Sequence, residues 1–288
     1  MTARIIVAMI LLIFHVQAQS NLLVTPQWVS DHLKDPNLVI VQVNFLKQDY
    51  LKEHIEGAHF LWPAWLAPDS PEGSYNAPDV KEVNALFKQW GINDKSQVVV
   101  CFYKSDLSVA ARMFLTLENF GLKGRVLWLD GGLDGWKKAG YAISNVEPPA
   151  RRGTFKAKDN ALLVDNKYVQ QAMQSSTQVV VDARLQKFYD GEPSGLPRDG
   201  HIPGAKNIPY ADMVDATQNV FKPVDQLQQY FVPIASKDKE LISYCFIGQS
   251  ASIVYLAGRL LGYNMKVYDG SMQEWSRIES LPMEVTKK

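Results

Sequence analysis

The fold is decided by the stretch Leu241-Ile242-Ser243-Tyr244-Cys245-Phe246-Ile247-Gly248-Gln249-Ser250-Ala251-Ser252. The run from Leu241 to Tyr244 is mostly apolar, as in a buried strand, and a loop with one glycine follows. A helical pattern of apolar residues then continues to Leu261, and Gly262 is a stop signal. The pattern predicts that Cys245 lies at the carboxyl end of a strand, just before a helix.

This position favours a reactive cysteine. Backbone N–H groups at a helix start point toward a group that precedes it, and the helix dipole favours an anion there. The thiolate is the nucleophilic form of cysteine. The chain has only two cysteines, Cys101 and Cys245, so no disulfide framework accounts for the placement of Cys245.

The sequence is an internal duplication, because three matches occur in the same order in both halves. The first pairs His54-Ile55-Glu56-Gly57-Ala58-His59-Phe60 with His201-Ile202-Pro203-Gly204-Ala205-Lys206-Asn207. The second pairs residues 97–122 with 240–263, each an apolar strand, a loop and a helix that ends at glycine. The third pairs Leu129-Asp130-Gly131-Gly132-Leu133-Asp134-Gly135-Trp136 with Tyr268-Asp269-Gly270-Ser271-Met272-Gln273-Glu274-Trp275.

Each half alternates short β-branched runs with helical patterns, which predicts an α/β fold with a parallel sheet and helices on both faces. Ligands of such sheets bind beyond the carboxyl ends of the strands, where Cys245 is expected. The predicted domains are residues 22–143 and 161–288. The segment 144–160, with Pro148-Pro149 and mixed charge, is predicted to be the linker.

The N-terminus predicts a signal peptide over residues 1–18. Arg4 is followed by an apolar run from Ile5 to Phe14, and Val16-Gln17-Ala18 supplies small residues for cleavage. We therefore expect export, to a periplasm or beyond, and no membrane association after cleavage; an uncleaved anchor is the alternative. The formal net charge is zero and basic residues are scattered, which argues against a nucleic-acid partner.

Four motifs together resemble the tandem-domain sulfurtransferases of the rhodanese family, which include thiosulfate sulfurtransferase and 3-mercaptopyruvate sulfurtransferase. They are Asp182-Ala183-Arg184, Gly200-His201-Ile202-Pro203-Gly204-Ala205, Cys245-x-x-Gly248-x-x-Ala251 and Asp269-Gly270-x-x-x-Glu274-Trp275. The resemblance implies two rhodanese-like domains, of which the second is catalytic and the first inactive. We expect a monomer without a cofactor. We also expect no metal, since the five histidines lack metal-ligand spacing.

The first half has lost the chemical groups of the second. In the first half, Phe102 occupies the position that matches Cys245 of the second half. Likewise, Gln42-Val43-Asn44 occupies the position that matches Asp182-Ala183-Arg184. Cys101 is therefore predicted to be a buried strand residue. A phosphatase of related fold needs an arginine six residues after its cysteine to grip phosphate oxygens. Ala251 occupies that position, which argues against a phosphatase.

The resemblance implies a persulfide mechanism. The Cys245 thiolate takes sulfur from a small anionic donor, which leaves as sulfite or pyruvate, and passes it to a thiol or to cyanide. The predicted substrate-binding residues are Arg184, Phe246, Ile247, Gly248, Gln249, Ser250 and Ala251. The amides from Phe246 to Ala251 are expected to surround the persulfide.

Several side chains have a second interpretation. Arg184 either holds the donor or forms a salt bridge with Asp182 or Glu192. Ser250 or Ser252 either donates a hydroxyl to the site or caps the helix. Arg198 is a weaker second cation. His201 recurs as His54 in the inactive half, which indicates a turn residue rather than a general base.

The donor follows least clearly from the sequence. Phe246-Ile247 is neither the cationic pair of thiosulfate-type members nor the small pair of mercaptopyruvate-type members. Because export favours thiosulfate, we place thiosulfate ahead of mercaptopyruvate, with a protein-borne persulfide also open. Two other classes remain: a non-catalytic binding module, and a redox or persulfide relay between Cys101 and Cys245.

Overall fold

The structure is a computed structural model that describes residues 22–71, 73–104 and 107–286. The predicted signal peptide lies outside these residues. Within them, no helix is long and apolar enough to cross a membrane.

The first domain is built on a five-stranded parallel sheet. Its strands are β1 Leu23–Val24, β2 Leu38–Val43, β3 His59–Leu61, β4 Gln97–Phe102 and β5 Val126–Leu129. Its helices are α1 Pro26–His32, α2 Lys47–Lys52, α3 Val80–Trp90, α4 Leu107–Leu117 and α5 Gly132–Lys138. The central strands are apolar on both sides because helices cover both faces of the sheet.

The second domain repeats this plan. Its strands are β6 Leu163–Val164, β7 Gln178–Asp182, β8 Lys206–Asn207, β9 Val214–Asp215, β10 Val220–Phe221, β11 Glu240–Tyr244 and β12 Asn264–Tyr268. Its helices are α6 Asn166–Ala172, α7 Gln186–Tyr189, α8 Val224–Phe231, α9 Ala251–Leu260 and α10 Ser271–Trp275. Strands β9 and β10 form a separate antiparallel pair.

The two sheets have the same topology. The strand orders are β1-β5-β4-β2-β3 and β6-β12-β11-β7-β8, and every pairing within these two sheets is parallel. The predicted α/β fold of two similar domains, each with helices on both sheet faces, is confirmed.

The two domains share one hydrophobic core. Helices α4 and α9 pack against each other, and a single buried cluster runs from Phe114 of α4 to Leu256 of α9. It also contains Phe87 of α3 and Phe231 of α8. The opposite sheet faces have their own smaller clusters, centred on Trp136 and Trp275 respectively.

Polar contacts between the domains follow the duplication. Asp269 accepts a hydrogen bond from the N–H of Ala77 at 2.9 Å. Asp130, its counterpart in the first half, accepts one from the N–H of Phe221 at 3.2 Å. The aspartate of each Asp-Gly motif thus binds the backbone of the other domain. Arg259 of α9 also forms an ion pair between the domains, with the buried Glu118 that follows α4.

The connection between α5 and β6 is bound to the first domain. Gly153 N–H donates to Lys88 O at 2.8 Å, and Asn160 N–H donates to Asn119 O at 2.7 Å. A Cβ at Gly153 would lie 2.4 Å from Phe87 O, so only glycine fits this close approach. The segment predicted to be the linker is therefore held against the first domain.

Asp130 makes the stability of this arrangement depend on pH. Burial raises the pKa of Asp130 from 3.8 to about 6. A carboxyl group whose pKa is raised on folding adds to the free energy of unfolding. This contribution is fully present below the ordinary pKa of 3.8, and it is lost as the pH rises through the pKa of the folded state. In Asp130→Asn the amide oxygen still accepts from Phe221 N–H but does not titrate. We expect the wild-type free energy of unfolding to fall relative to this variant between pH 4 and 7, by at most about 3 kcal/mol.

The measurement is urea unfolding of both proteins across that pH range. Glu56→Gln, which removes an exposed carboxylate, is the control and should run parallel to the wild type. Parallel curves for Asp130→Asn as well would contradict the assignment.

Candidate active site

Cys245 directly follows β11, and its side chain is 1% exposed. Its N–H donates to the hydroxyl of Ser271 at 3.2 Å. Its carbonyl accepts from Met272 N–H at 3.0 Å, and the Phe246 carbonyl accepts from Gln273 N–H at 2.9 Å. The first turn of α10 therefore fixes the backbone that carries the thiol.

Ser271 was missed by the sequence analysis. It has a left-handed φ of 49°, and its hydroxyl also donates to Tyr268 O at 2.9 Å. Its counterpart in the first half is Gly132, with φ of 55°. A Cβ on Gly132 would lie 2.6 Å from Phe102 O, so no side chain fits there. The signal available in the sequence was that serine follows the Asp-Gly motif of the second half, whereas glycine follows that of the first half.

The loop after Cys245 curls at Gly248. Its φ of 79° lies in the left-handed region, which glycine adopts without strain. Ser252 donates to the Gly248 carbonyl at 3.0 Å, so its single O–H group is used within the loop and neither contacts sulfur nor caps the helix. Ser250 is the residue before α9, and its side chain makes no capping bond.

Arg184 forms the salt bridge with Asp182 that was one of its two predicted interpretations. Its guanidinium forks Asp182, with Nε 3.0 Å from Oδ1 and Nη2 2.6 Å from Oδ2. Nη2 also donates to Gly200 O at 2.6 Å. The third nitrogen, Nη1, is buried and has no hydrogen-bond partner among the described residues. Arg184 is therefore ion-paired and still has one donor group to offer.

Arg184 remains a cation in this buried position. Burial lowers its pKa, but the hydrogen bonds and charge of Asp182 outweigh burial, and the net pKa lies above the ordinary value. The guanidinium lies 5.3 Å from the ring centre of Phe246, a cation–π contact that fixes its plane.

Cys245 and Arg184 meet in a cavity of about 260 Å³. It is lined by Ser108, Arg184, Leu185, Phe188, Tyr210, Cys245, Phe246, Ile247, Gln249 and Ser250. The wall is mostly apolar, and the rings of Phe188 and Phe246 meet edge to face at 5.1 Å. Of its lining residues only Arg184 carries a permanent positive charge.

Most of the predicted binding residues lie in this wall, and two do not. The predicted residues Phe246, Ile247, Gln249 and Ser250 line it. Gly248 faces Arg112, and Ala251 is fully buried at the start of α9. Leu185, Phe188 and Tyr210 were not predicted, although they follow closely after Arg184 and the second histidine motif.

The first domain also contributes to the cavity. Ser108 of α4 accepts a hydrogen bond from Gln249 Nε2 at 2.7 Å. No signal in the sequence pointed to Ser108, because it lies in the half that lacks the cysteine.

Arg198 and His201 have structural roles. The guanidinium of Arg198 donates to four carbonyl groups, those of Trp275, Ser276, Ile278 and Leu281. His201 stacks on Tyr189, with ring centres 3.8 Å apart, and its Nδ1 lies 2.7 Å from Tyr189 O. His54 has the same arrangement on Tyr50.

Strand pairing shows what replaces the site in the first domain. Cys101 lies opposite Gln42, whereas Tyr244 lies opposite Asp182. Phe102 therefore occupies the position of Cys245. Both cysteines are free thiols. Burial, with a smaller effect of Asp134, raises the Cys101 pKa far above its ordinary value.

Within the described ranges, no cluster of three or more histidine, cysteine, aspartate or glutamate side chains is arranged to hold a metal ion.

Comparison with known proteins agrees with this arrangement. Residues 25–139 and 165–278 each match the family model of the rhodanese-like domain. The chain belongs to the rhodanese-like family.

Several relatives of this rhodanese-like protein are named as sulfurtransferases. A Pseudomonas aeruginosa protein named "Probable 3-mercaptopyruvate sulfurtransferase" is 33% identical, over 88% of this chain and 94% of its own. A Synechococcus elongatus protein named "Putative thiosulfate sulfurtransferase" is 31% identical, over 91% and 84%. The crystal structure of the Escherichia coli 3-mercaptopyruvate sulfurtransferase SseA superposes with a TM-score of 0.73 at 28% identity, covering 87% of this chain and 98% of that one.

The free nitrogen of Arg184 generates a prediction. Arg184→Lys keeps a cation for Asp182 but removes the planar guanidinium, whose forked geometry a single ammonium group cannot reproduce. We expect kcat/KM for an anionic donor to fall about ten- to a hundredfold, the scale of one charge-assisted hydrogen bond.

Arg198→Lys is the matched control, because Arg198 binds only carbonyl groups outside the cavity in the described structure. It should lower the melting temperature and leave KM unchanged. An Arg184→Lys enzyme with wild-type kinetics and a lower melting temperature would show that Arg184 is structural only.

Proposed function

We propose that the protein is a sulfurtransferase that moves sulfur from a small anionic donor to a thiol acceptor through a persulfide on Cys245. The observation that carries the proposal is that Cys245, which directly follows β11, and the cationic Arg184 line the same small cavity. Among its relatives, the named activities are sulfur transfers.

In the first step the Cys245 thiolate attacks the sulfur of the donor. A sulfur–sulfur bond forms, and the donor's bond to that sulfur breaks with its electron pair. Thiosulfate leaves as sulfite. Mercaptopyruvate leaves as pyruvate, whose methyl carbon takes up the proton of the original thiol. In both cases Cys245 retains one extra sulfur as an anionic persulfide.

The surroundings of Cys245 suit this anion. The curled backbone after Cys245 and the N-terminus of α9 provide N–H groups and a favourable dipole. The apolar wall of Phe188, Phe246 and Ile247 limits the access of water that would compete for the terminal sulfur. In the second step an acceptor thiol gives up its proton to Cys245 and leaves with the terminal sulfur.

The charge of the cavity supports a singly charged donor. Asp182 neutralises Arg184, so the pair has no net charge, and Nη1 is its one nitrogen that has no hydrogen-bond partner among the described residues. The carboxylate of 3-mercaptopyruvate needs one such contact. The thiosulfate dianion would lose more hydration energy in an apolar cavity whose described lining residues include no second fixed cation. We therefore propose 3-mercaptopyruvate ahead of thiosulfate, which reverses the ranking inferred from the sequence.

The other candidate functions are less well supported. A non-catalytic module does not require a cysteine, a free guanidinium nitrogen and a cavity that joins them. A relay would need Cys101 to react, but Cys101 is fully buried, in the core cluster on the other face of the first sheet. We retain the proposal that the mature protein acts outside the cytoplasm, on the sequence of residues 1–18 alone.

The nucleophile can be tested with the two cysteines as matched variants. Cys245→Ser should abolish sulfur transfer to cyanide, because a serine hydroxyl forms no persulfide. Cys101→Ser should keep most of the activity. Mass spectrometry after donor treatment should find one added sulfur on the wild type and on Cys101→Ser only. Appreciable turnover by Cys245→Ser would refute the proposed function.

The donor can be tested by changing the charge of the cavity. We expect the wild type to prefer 3-mercaptopyruvate over thiosulfate by more than about tenfold in kcat/KM, or ~1.4 kcal/mol. Phe246→Arg combined with Ile247→Lys should move this ratio toward thiosulfate, because added cations stabilise the sulfite leaving group. Phe246→Leu with Ile247→Val is the apolar control. A wild-type preference for thiosulfate would restore the sequence-based ranking.

A further inference from the structure

Arg112 is an unusual residue of the domain that lacks the cysteine. It lies in α4, in the core between the domains, and its side chain is fully buried. Nη2 forms an ion pair with Asp269 of the second domain, 2.5 Å from Oδ1. Nε and Nη1 are buried and have no hydrogen-bond partner among the described residues. A buried guanidinium with unmet donors costs free energy, which calls for an explanation.

The guanidinium lies against the loop that follows Cys245. A Cβ placed on Gly248 would be 3.0 Å from Nη1 of Arg112 and 3.0 Å from Asp269 O. Ser108, four residues before Arg112 and on the same helix face, accepts the hydrogen bond of Gln249. Helix α4 thus contacts two consecutive residues of the Cys245 loop, one through a hydroxyl and one through a buried cation.

Comparison of the two halves shows that this arginine occurs only in the first half. Counting back nine residues from the glycine that ends each helix, Gly121 and Gly262, gives Arg112 in the first half and Ile253 in the second. The inactive domain therefore directs an arginine at the loop with the cysteine. The catalytic domain has an apolar residue at the matching place, opposite a loop that begins with Phe102.

We propose that Arg112 is a positioning residue for sulfur transfer, which rests on the proposed function. Its guanidinium packs against Gly248, at the point where the loop after Cys245 curls. It also places a fixed positive charge beside this loop, which becomes more favourable when the thiolate or persulfide forms. On this view the first domain, after losing its own nucleophile, supplies part of the site of the second.

The test compares Arg112→Met, which removes the charge, with Arg112→Lys, which retains it and can still pair with Asp269. Arg112 does not line the donor cavity, so Arg112→Met should lower kcat about tenfold and leave KM within about twofold. The rate of Cys245 alkylation by iodoacetamide should reach half its maximum at a pH about 0.5 to 1 higher than in wild type. Arg112→Lys should restore most of the alkylation profile.

Arg259→Met is the matched control. It removes the partly buried arginine that pairs with Glu118 across the domains, near the C-terminal end of α9. It should lower the melting temperature while leaving kcat and the alkylation profile at wild-type values. The proposal is overturned if Arg112→Met behaves in the same way. It is also overturned if Arg112→Lys, which keeps the charge and is expected to fold, shows the alkylation midpoint of Arg112→Met instead of that of the wild type.

Alkylation needs no sulfur donor, so this test is independent of the assigned reaction. A shifted profile in a protein that transfers no sulfur would support the role of Arg112 and refute the proposed function. An unshifted alkylation profile of Arg112→Met, together with sulfur transfer by the wild type, would support the proposed function and refute the role of Arg112.

Discussion

The packing of α4 against α9 is the contact on which the rest of the structure depends. Nearly every residue of α4, and every residue of α9 except Arg259, is buried. Helices that are buried on nearly all sides need neighbours on nearly all sides, and each of these two helices is a neighbour of the other. The two halves consequently fold with one core between them. At about 25 cal/mol per Å² of apolar surface, separating them would be strongly unfavourable.

This shared core explains why the candidate site belongs to both domains. The N-terminal ends of α4 and α9 each face the other half, so Ser108 reaches Gln249 and Arg112 reaches the backbone of Gly248. The Asp-Gly motifs complete the arrangement, since Asp269 binds both Arg112 and the N–H of Ala77. Loss of the nucleophile in one half did not remove the constraints on its surface.

The sequence was sufficient for features that depend on local pattern. Apolar strands, helix stops and repeated motifs gave the α/β fold and the duplication, and the strand–loop–helix pattern gave the place of Cys245. Features that depend on tertiary packing were not accessible. Ser108 and Arg112 lie more than a hundred residues from Cys245 in the sequence. The pairing of Arg184 with Asp182 was one of two open alternatives, and only side-chain geometry showed that it leaves Nη1 free.

The contrast between Ser271 and Gly132 bears on how this chain can evolve. Restoring a cysteine at Phe102 would create a thiol without its surroundings. No hydroxyl could be added at Gly132, because the Phe102 carbonyl occupies the space of a Cβ. Asn44 would supply no guanidinium, and Gln42 no carboxylate to orient one. A second active site in the first half would therefore need several substitutions together, and no single substitution would create it.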